Sequence, residues 1–248
     1  MIYLKSCSEI EFMRISGRIV AETLNLIEEH VKPGITTKEL DKIAENYILS
    51  CGARPSFKGL YGFPATLCTS VNEEIVHGIP GDRVLEEGDI ISVDCGALYH
   101  NFHGDAARTF PVGKISPEAQ KLIDVTKESF FVGLKHAIVG NRIGDIASAI
   151  QEYVEAFGYG VVRDYVGHGI GKEMHEEPSV PNYGKAGRGP KLAKGMTLAI
   201  EPMVNMGTYA TKELNDGWTV ITLDKKMSAH YENSIAILDN GPEILTII

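Results

Sequence analysis

Apolar residues recur at helical spacing from Ser8 to Val31. Phe12, Ile15, Ile19 and Leu26 mark one stripe, widened by Val20 and Ile27. Ser8 with Glu11 makes a capping box, and Pro33-Gly34 ends the segment. A second helical pattern opens near Thr36, with Glu39 in its first turn, and carries Leu40, Ile43, Tyr47 and Ile48. Strand-like runs follow over 65–70, 89–94 and 106–112. The same order then recurs. Ser116-Pro117-Glu118 is a helix start with proline in the first turn, and that helix is predicted to reach about Val139, where Gly140 stops it. A fourth helix is predicted over 143–157, with Ile146, Ile150 and Val154 on one face and Gly158 as its stop. Strands are predicted over 161–166, 196–201, 219–223 and 234–238. The expectation is one domain over 1–248, built from two pseudo-symmetric halves at 1–115 and 116–248.

The duplication extends to the residues able to bind metal. Leu85 to Asp94 reads L-E-E-G-D-I-I-S-V-D and is followed by H-G-D at 103–105. Leu192 to Glu201 reads L-A-K-G-M-T-L-A-I-E and is followed by H-Y-E at 230–232. Each half thus places an acid six residues after a glycine, and a second acid two residues after a histidine. His168 adds an imidazole within G-H-G-I-G. A two-residue hairpin loop at Tyr99-His100 would set Asp94 opposite Asp105, with Cβ atoms roughly 4.5–5.5 Å apart. Bare carboxylates at that distance repel, and a shared cation removes the penalty. Glu201 and Glu232 border apolar runs, where an unpaired carboxylate is costly. Four carboxylates and one imidazole suit Mn(II), Fe(II), Co(II) or Zn(II), and a pair of such ions suits hydrolysis.

Composition narrows the setting. The net charge of −9 argues against nucleic-acid binding, which needs a basic face. Cys7, Cys51, Cys68 and Cys95 show no C-x-x-C spacing, which fits a reducing cytoplasm better than a disulfide framework. No stretch approaches the roughly 18 apolar residues of a membrane span, and the N-terminus has no export signal.

Beyond spacing, the chain resembles the type I methionine aminopeptidases. The motifs are V-N-E-E-I-V-H-G-I-P (71–80), S-V-D-C-G (92–96), H-G-D-A-A-R-T-F (103–110), Y-V-G-H-G-I-G (165–171), M-H-E-E-P-S-V-P-N-Y-G (174–184), L-A-I-E-P-M (198–203) and D-G-W-T (216–219). The resemblance implies an α+β pita-bread fold, a curved antiparallel sheet flanked by helices. It implies two divalent metal ions: Asp105 and Glu232 bridge them, Asp94 holds one, and His168 with Glu201 holds the other. Glu201 is also implied as general base for a hydroxide shared by the ions. His77 is implied to contact the substrate amide, and His175 to stabilise the tetrahedral oxygen. Phe63, Cys68, His77 and Trp218 are the implied methionine pocket. Leu60 and Met174 depart from the aromatic residues of many relatives, and Asn233 from their histidine. The implied activity is removal of the initiator methionine from nascent chains with a small second residue. The implied enzyme is a monomer that touches the ribosome transiently. Two other readings share the scaffold: an X-Pro peptidase, and a non-catalytic peptide-binding protein.

Overall fold

The computed structural model describes residues 1–248. Four helices carry the two main cores: α1 (Cys7–His30), α2 (Thr37–Ser50), α3 (Pro117–Leu134) and α4 (Ile143–Glu155). All strand ladders are antiparallel. The first sheet places Ile90–Tyr99 between Leu67–Val71 and Phe102–Pro111, with Arg54–Pro55 at the far end of the same strand. The second runs in the order Gly241–Ile244, Asn233–Leu238, Thr197–Ile200, Gly167–Gly169, Glu176–Val180. Two three-stranded sheets complete the architecture, one of them Ser228–His230, Met203–Asn205 and Gly160–Val161.

Each helix pair covers one large sheet. Val20, Leu24 and Ile27 of α1, with Leu40 and Ile48 of α2, pack on Ile91, Val93, Cys95 and Ala106. Leu122 and Phe130 of α3, with Ile146 and Ile150 of α4, pack on Leu198, Ile200, Ile235 and Ile237. Because side chains alternate along a strand, burying Val93, Cys95 and Ala106 under α1 and α2 turns Asp94 and Asp105 to the opposite face.

Several local expectations shift. The capping box of α1 is Ser6 with Glu9, not Ser8 with Glu11, although both pairs fit the motif. The buried stripe of α1 is Ile10, Met13, Gly17, Val20, Leu24 and Ile27; Phe12 and Ile15 face outward. Phe12 instead stacks on His100 and Phe102, at 5.3 and 6.0 Å between ring centroids. Thr36 and Glu39 form a capping box that opens α2 where expected, and Ser116 caps α3. Helix α3 stops at Leu134, and the tighter turns that follow leave Ile138 and Val139 in solvent. The strand expected over 161–166 shrinks to Gly160–Val161.

Close packing of α1 explains its rotated stripe. A Cβ on Gly104 would lie 2.7 Å from the Gly17 nitrogen, and one on Gly17 would lie 2.2 Å from the Leu245 carbonyl oxygen. Helix backbone therefore rests directly on the strand that carries Asp105. Gly104→Ala must push the two apart and is expected to cost about 1–3 kcal/mol in a urea unfolding titration. An unchanged midpoint would show that the contact yields freely.

Candidate active site

The hairpin turns one residue later than expected. Its loop is His100-Asn101, with φ of 47° and 66°, which suits a tight hairpin whose central residues are both left-handed. Asparagine tolerates that region far better than the bulky Tyr99 would. Asp94 consequently pairs with Ala107, and Asp105 pairs with Gly96. The two acids become diagonal neighbours on one face instead of directly opposed ones. Cys68 stands opposite Asp94 on the third strand.

The second pair of acids arises at a break between two ladders. Ile200 pairs with Asn233, and Met203 pairs with His230. One register spans the interruption, so Glu201 and Glu232 oppose each other. Asn182 donates to the Glu201 carbonyl at 3.0 Å. The two halves are then sewn together. Ser234 Oγ accepts from Asp105 N at 3.0 Å and donates to Asp105 O at 2.9 Å, and Glu232 N donates to Ala107 O at 3.0 Å. Arg108 donates to the Glu232 carbonyl and to Asn233 Oδ1 while lying over the Tyr231 ring.

His168 follows from its own loop. Its Nδ1 meets the Gly169 carbonyl at 2.8 Å. A carbonyl can only accept, so Nδ1 carries the proton and Nε2 presents a lone pair. That nitrogen lies 3.6 Å from Asp105 Oδ2 and 3.7 Å from Glu201 Oε1. Ligand atoms of Asp105, His168 and Glu232 fall within 4.8 Å of one another.

Electrostatics leaves this cluster in need of positive charge. Burial pushes the carboxyls of Asp94, Glu201 and Glu232 well above their ordinary range, and the neighbouring acids push further. Burial raises Asp105 to about 7, opposed by hydrogen bonding to Glu232 and Asp94. Asp94 Oδ1, Asp105 Oδ1 and Glu232 Oε1 are buried without a hydrogen-bond partner. Orphaned acceptors beside a bare imidazole nitrogen fit a hard or borderline divalent cation.

A cavity of about 570 Å³ opens over the cluster. All ten residues given a site role from the sequence line it: Phe63, Cys68, His77, Asp94, Asp105, His168, His175, Glu201, Trp218 and Glu232; of the three departures from relatives, Leu60 and Met174 line it and Asn233 does not. Trp218 meets Phe63 edge-on at 5.0 Å, and His77 meets Tyr165 at 5.6 Å. His77 itself has φ of 60°, a conformation that non-glycine residues adopt at a cost. His175 packs edge-on against His168 at 4.5 Å and stacks on exposed Tyr61 at 5.9 Å. Burial lowers His77, His168 and His175 to about 4, so all three are neutral near pH 7. Sequence reasoning passed over Tyr61, Tyr165, Asn182 and His230. Of these, Tyr165 and Asn182 lie within quoted motifs and His230 stands in H-Y-E, whereas Tyr61 had no such signal.

Comparison with known proteins agrees with this geometry. Residues 11–239 match the family model described as metallopeptidase family M24. A methionine aminopeptidase of Clostridium acetobutylicum is 65 % identical over 100 % of this chain and 99 % of its own length. The chain is a methionine aminopeptidase-type member of metallopeptidase family M24. A second relative, methionine aminopeptidase 1 of Bacillus subtilis, is 54 % identical over 99 % of both chains. The crystal structure of the Thermotoga maritima methionine aminopeptidase superposes with a TM-score of 0.99 at 45 % identity, covering 100 % of both chains. A prolidase from Pyrococcus horikoshii superposes at 0.80 with 25 % identity, and this chain covers 63 % of it. The fold is therefore the pita-bread fold, and the chain is a metal-dependent peptidase. No helix is long and apolar enough to cross a membrane, and all four cysteines are free.

One consequence is measurable without turnover. A folded Asp105 binds its proton more tightly than the unfolded chain does. The stability it contributes is therefore lost as pH rises from the ordinary 3.8 towards about 7. In chelated protein, Asp105→Asn is expected to raise Tm at pH 8, with a smaller gain at pH 5. Saturating metal should reverse the sign. A chelated variant that melts below the parent at pH 8 contradicts the electrostatic account.

Proposed function

We propose that this single domain removes the initiator methionine from nascent polypeptides when the second residue is small. The observation that carries the proposal is an acidic, metal-fitting cluster at the base of a cavity whose walls suit a thioether. Two divalent ions, drawn from Co, Mn, Fe and Zn, are assigned to Asp94, Asp105, His168, Glu201 and Glu232. Asp105 and Glu232 would hold metal together with Asp94, His168 and Glu201. Divalent metal supplies Lewis-acid activation of water and of the scissile carbonyl.

The chain's own residues do the remainder. Phe63, Cys68, His77 and Trp218 enclose the methionine side chain, where sulfur and aromatic contacts suit its thioether. The acidic cluster attracts the free amino terminus, with Asp94 nearest to it in role. Glu201 accepts the proton of the attacking water and relays it to the leaving amine. His77 contacts the amide at the scissile bond. His175, neutral and at the cavity rim, donates to the developing oxygen of the carbonyl. In this reading the enzyme acts in the cytoplasm, as a monomer that contacts the ribosome transiently.

Purified protein is expected to release methionine from Met-Gly-Met-Met in a metal-dependent way and to leave Ala-Pro-Gly intact. Cleavage of Ala-Pro-Gly alone would move the activity to the X-Pro peptidases, whose fold it shares. Glu201→Ala and His168→Ala should abolish turnover and lower metal content, measured by elemental analysis. His175→Ala should keep its metal while kcat falls roughly 10²–10³-fold. Loss of metal from the His175 variant would make His175 a ligand.

A further inference from the structure

The two halves differ in what they do with the histidine that precedes the second acid. His103 of H-G-D gives its Nδ1 to Ser56 Oγ at 2.8 Å, a pairing away from the acids. His230 of H-Y-E has no such partner. It is 1 % exposed, and its Nε2 is buried without a hydrogen bond. That atom lies 3.8 Å from Glu201 Oε2 and 3.9 Å from Glu232 Oε2. The backbone that carries the ring is held on both sides. His230 N donates to Thr109 Oγ1 at 2.9 Å, and Thr109 Oγ1 donates to the His230 carbonyl at 2.9 Å. Thr109 Oγ1 is itself 2.8 Å from Ser92 Oγ. Met203 holds the register from the opposite strand.

Glu201 is therefore bracketed by two imidazoles with different tasks. His168 faces Oε1 with its lone pair, and His230 faces Oε2. His230 does not line the cavity, whereas all five residues assigned to metal do. We propose that His230 is a positioning residue whose Nε2–H donates to the outer oxygens of Glu201 and Glu232. Resting on the roles assigned above to those two acids, it holds their carboxylates at one angle and leaves Glu201 Oε1 free to take the proton of water. Carboxylates that bind metal depend on such supporting hydrogen bonds for orientation.

Two measurements test this on the full chain. Histidine-labelled protein loaded with Zn(II), studied by ¹⁵N NMR, should show His230 as the Nε2–H tautomer, identified by the signal missing from His230→Gln. A bare or metal-bound Nε2 overturns the proposal. In kinetics on Met-Gly-Met-Met, His230→Met should lower kcat by about tenfold or more, with KM and zinc content within twofold of the parent. His230→Gln, which restores an amide donor of similar reach, should recover most of that loss. Parent-like kcat in His230→Met, or equal losses in both variants, also overturns it. Should His230→Met fail to fold, the tautomer in the parent decides. A parent that cuts no methionine peptide refutes the proposed function instead, and the tautomer stays readable.

Discussion

Four carboxylates held in one buried pocket impose the constraint on which the rest of the structure depends. Each is raised by loss of water and by its neighbours, so the pocket must hold protons or a cation. Keeping them together against that repulsion requires a stiff frame. The frame is the seam between the two large sheets, where Ser234 bonds both backbone groups of Asp105, and Arg108 draws the Glu232 carbonyl towards the neighbouring strand. Membership of a metallopeptidase family and an acid cluster that resists ionisation unaided are two views of one fact.

The helix pairs serve this seam indirectly. By taking Val93, Cys95 and Ala106 into one core, α1 and α2 force the alternate residues towards the metal-fitting face. By taking Leu198, Ile200 and Ile235 into another, α3 and α4 do the same for the second sheet. Apolar burial thereby holds polar chemistry in place, and the cavity wall of Phe63, Cys68 and Trp218 grows from a third, smaller core.

The features legible in the sequence share a physical cause. Thr36 with Glu39 and Ser116 with Pro117 are local devices, readable because caps act within one turn. The strand alternation that turns Asp94 away from Val93 is equally local. What escaped depends on distant partners. Ser6 and Ser8 offer equivalent boxes, and the choice between them depends on which face of α1 can approach Gly104. The exposed flank of Phe12 and Ile15 has the same origin. The hairpin register is the exception, because the preference for positive φ at Asn101 over Tyr99 is itself local. His230 was invisible as anything but half of a repeat, since its neighbour Glu201 is far away in sequence and Thr109 further still.

The contact between Gly17 and the Leu245 carbonyl ties the beginning of the chain to its end. Leu245 N donates to the Ser234 carbonyl, and Thr246 Oγ1 bonds Asn233 Oδ1, beside the strand that follows Glu232. Leu245 and Thr246 thus clasp both the helix that backs Asp105 and the strand start beside Glu232. A change at Leu245 or Thr246 therefore reaches both walls of the cavity at once, although neither residue lines it.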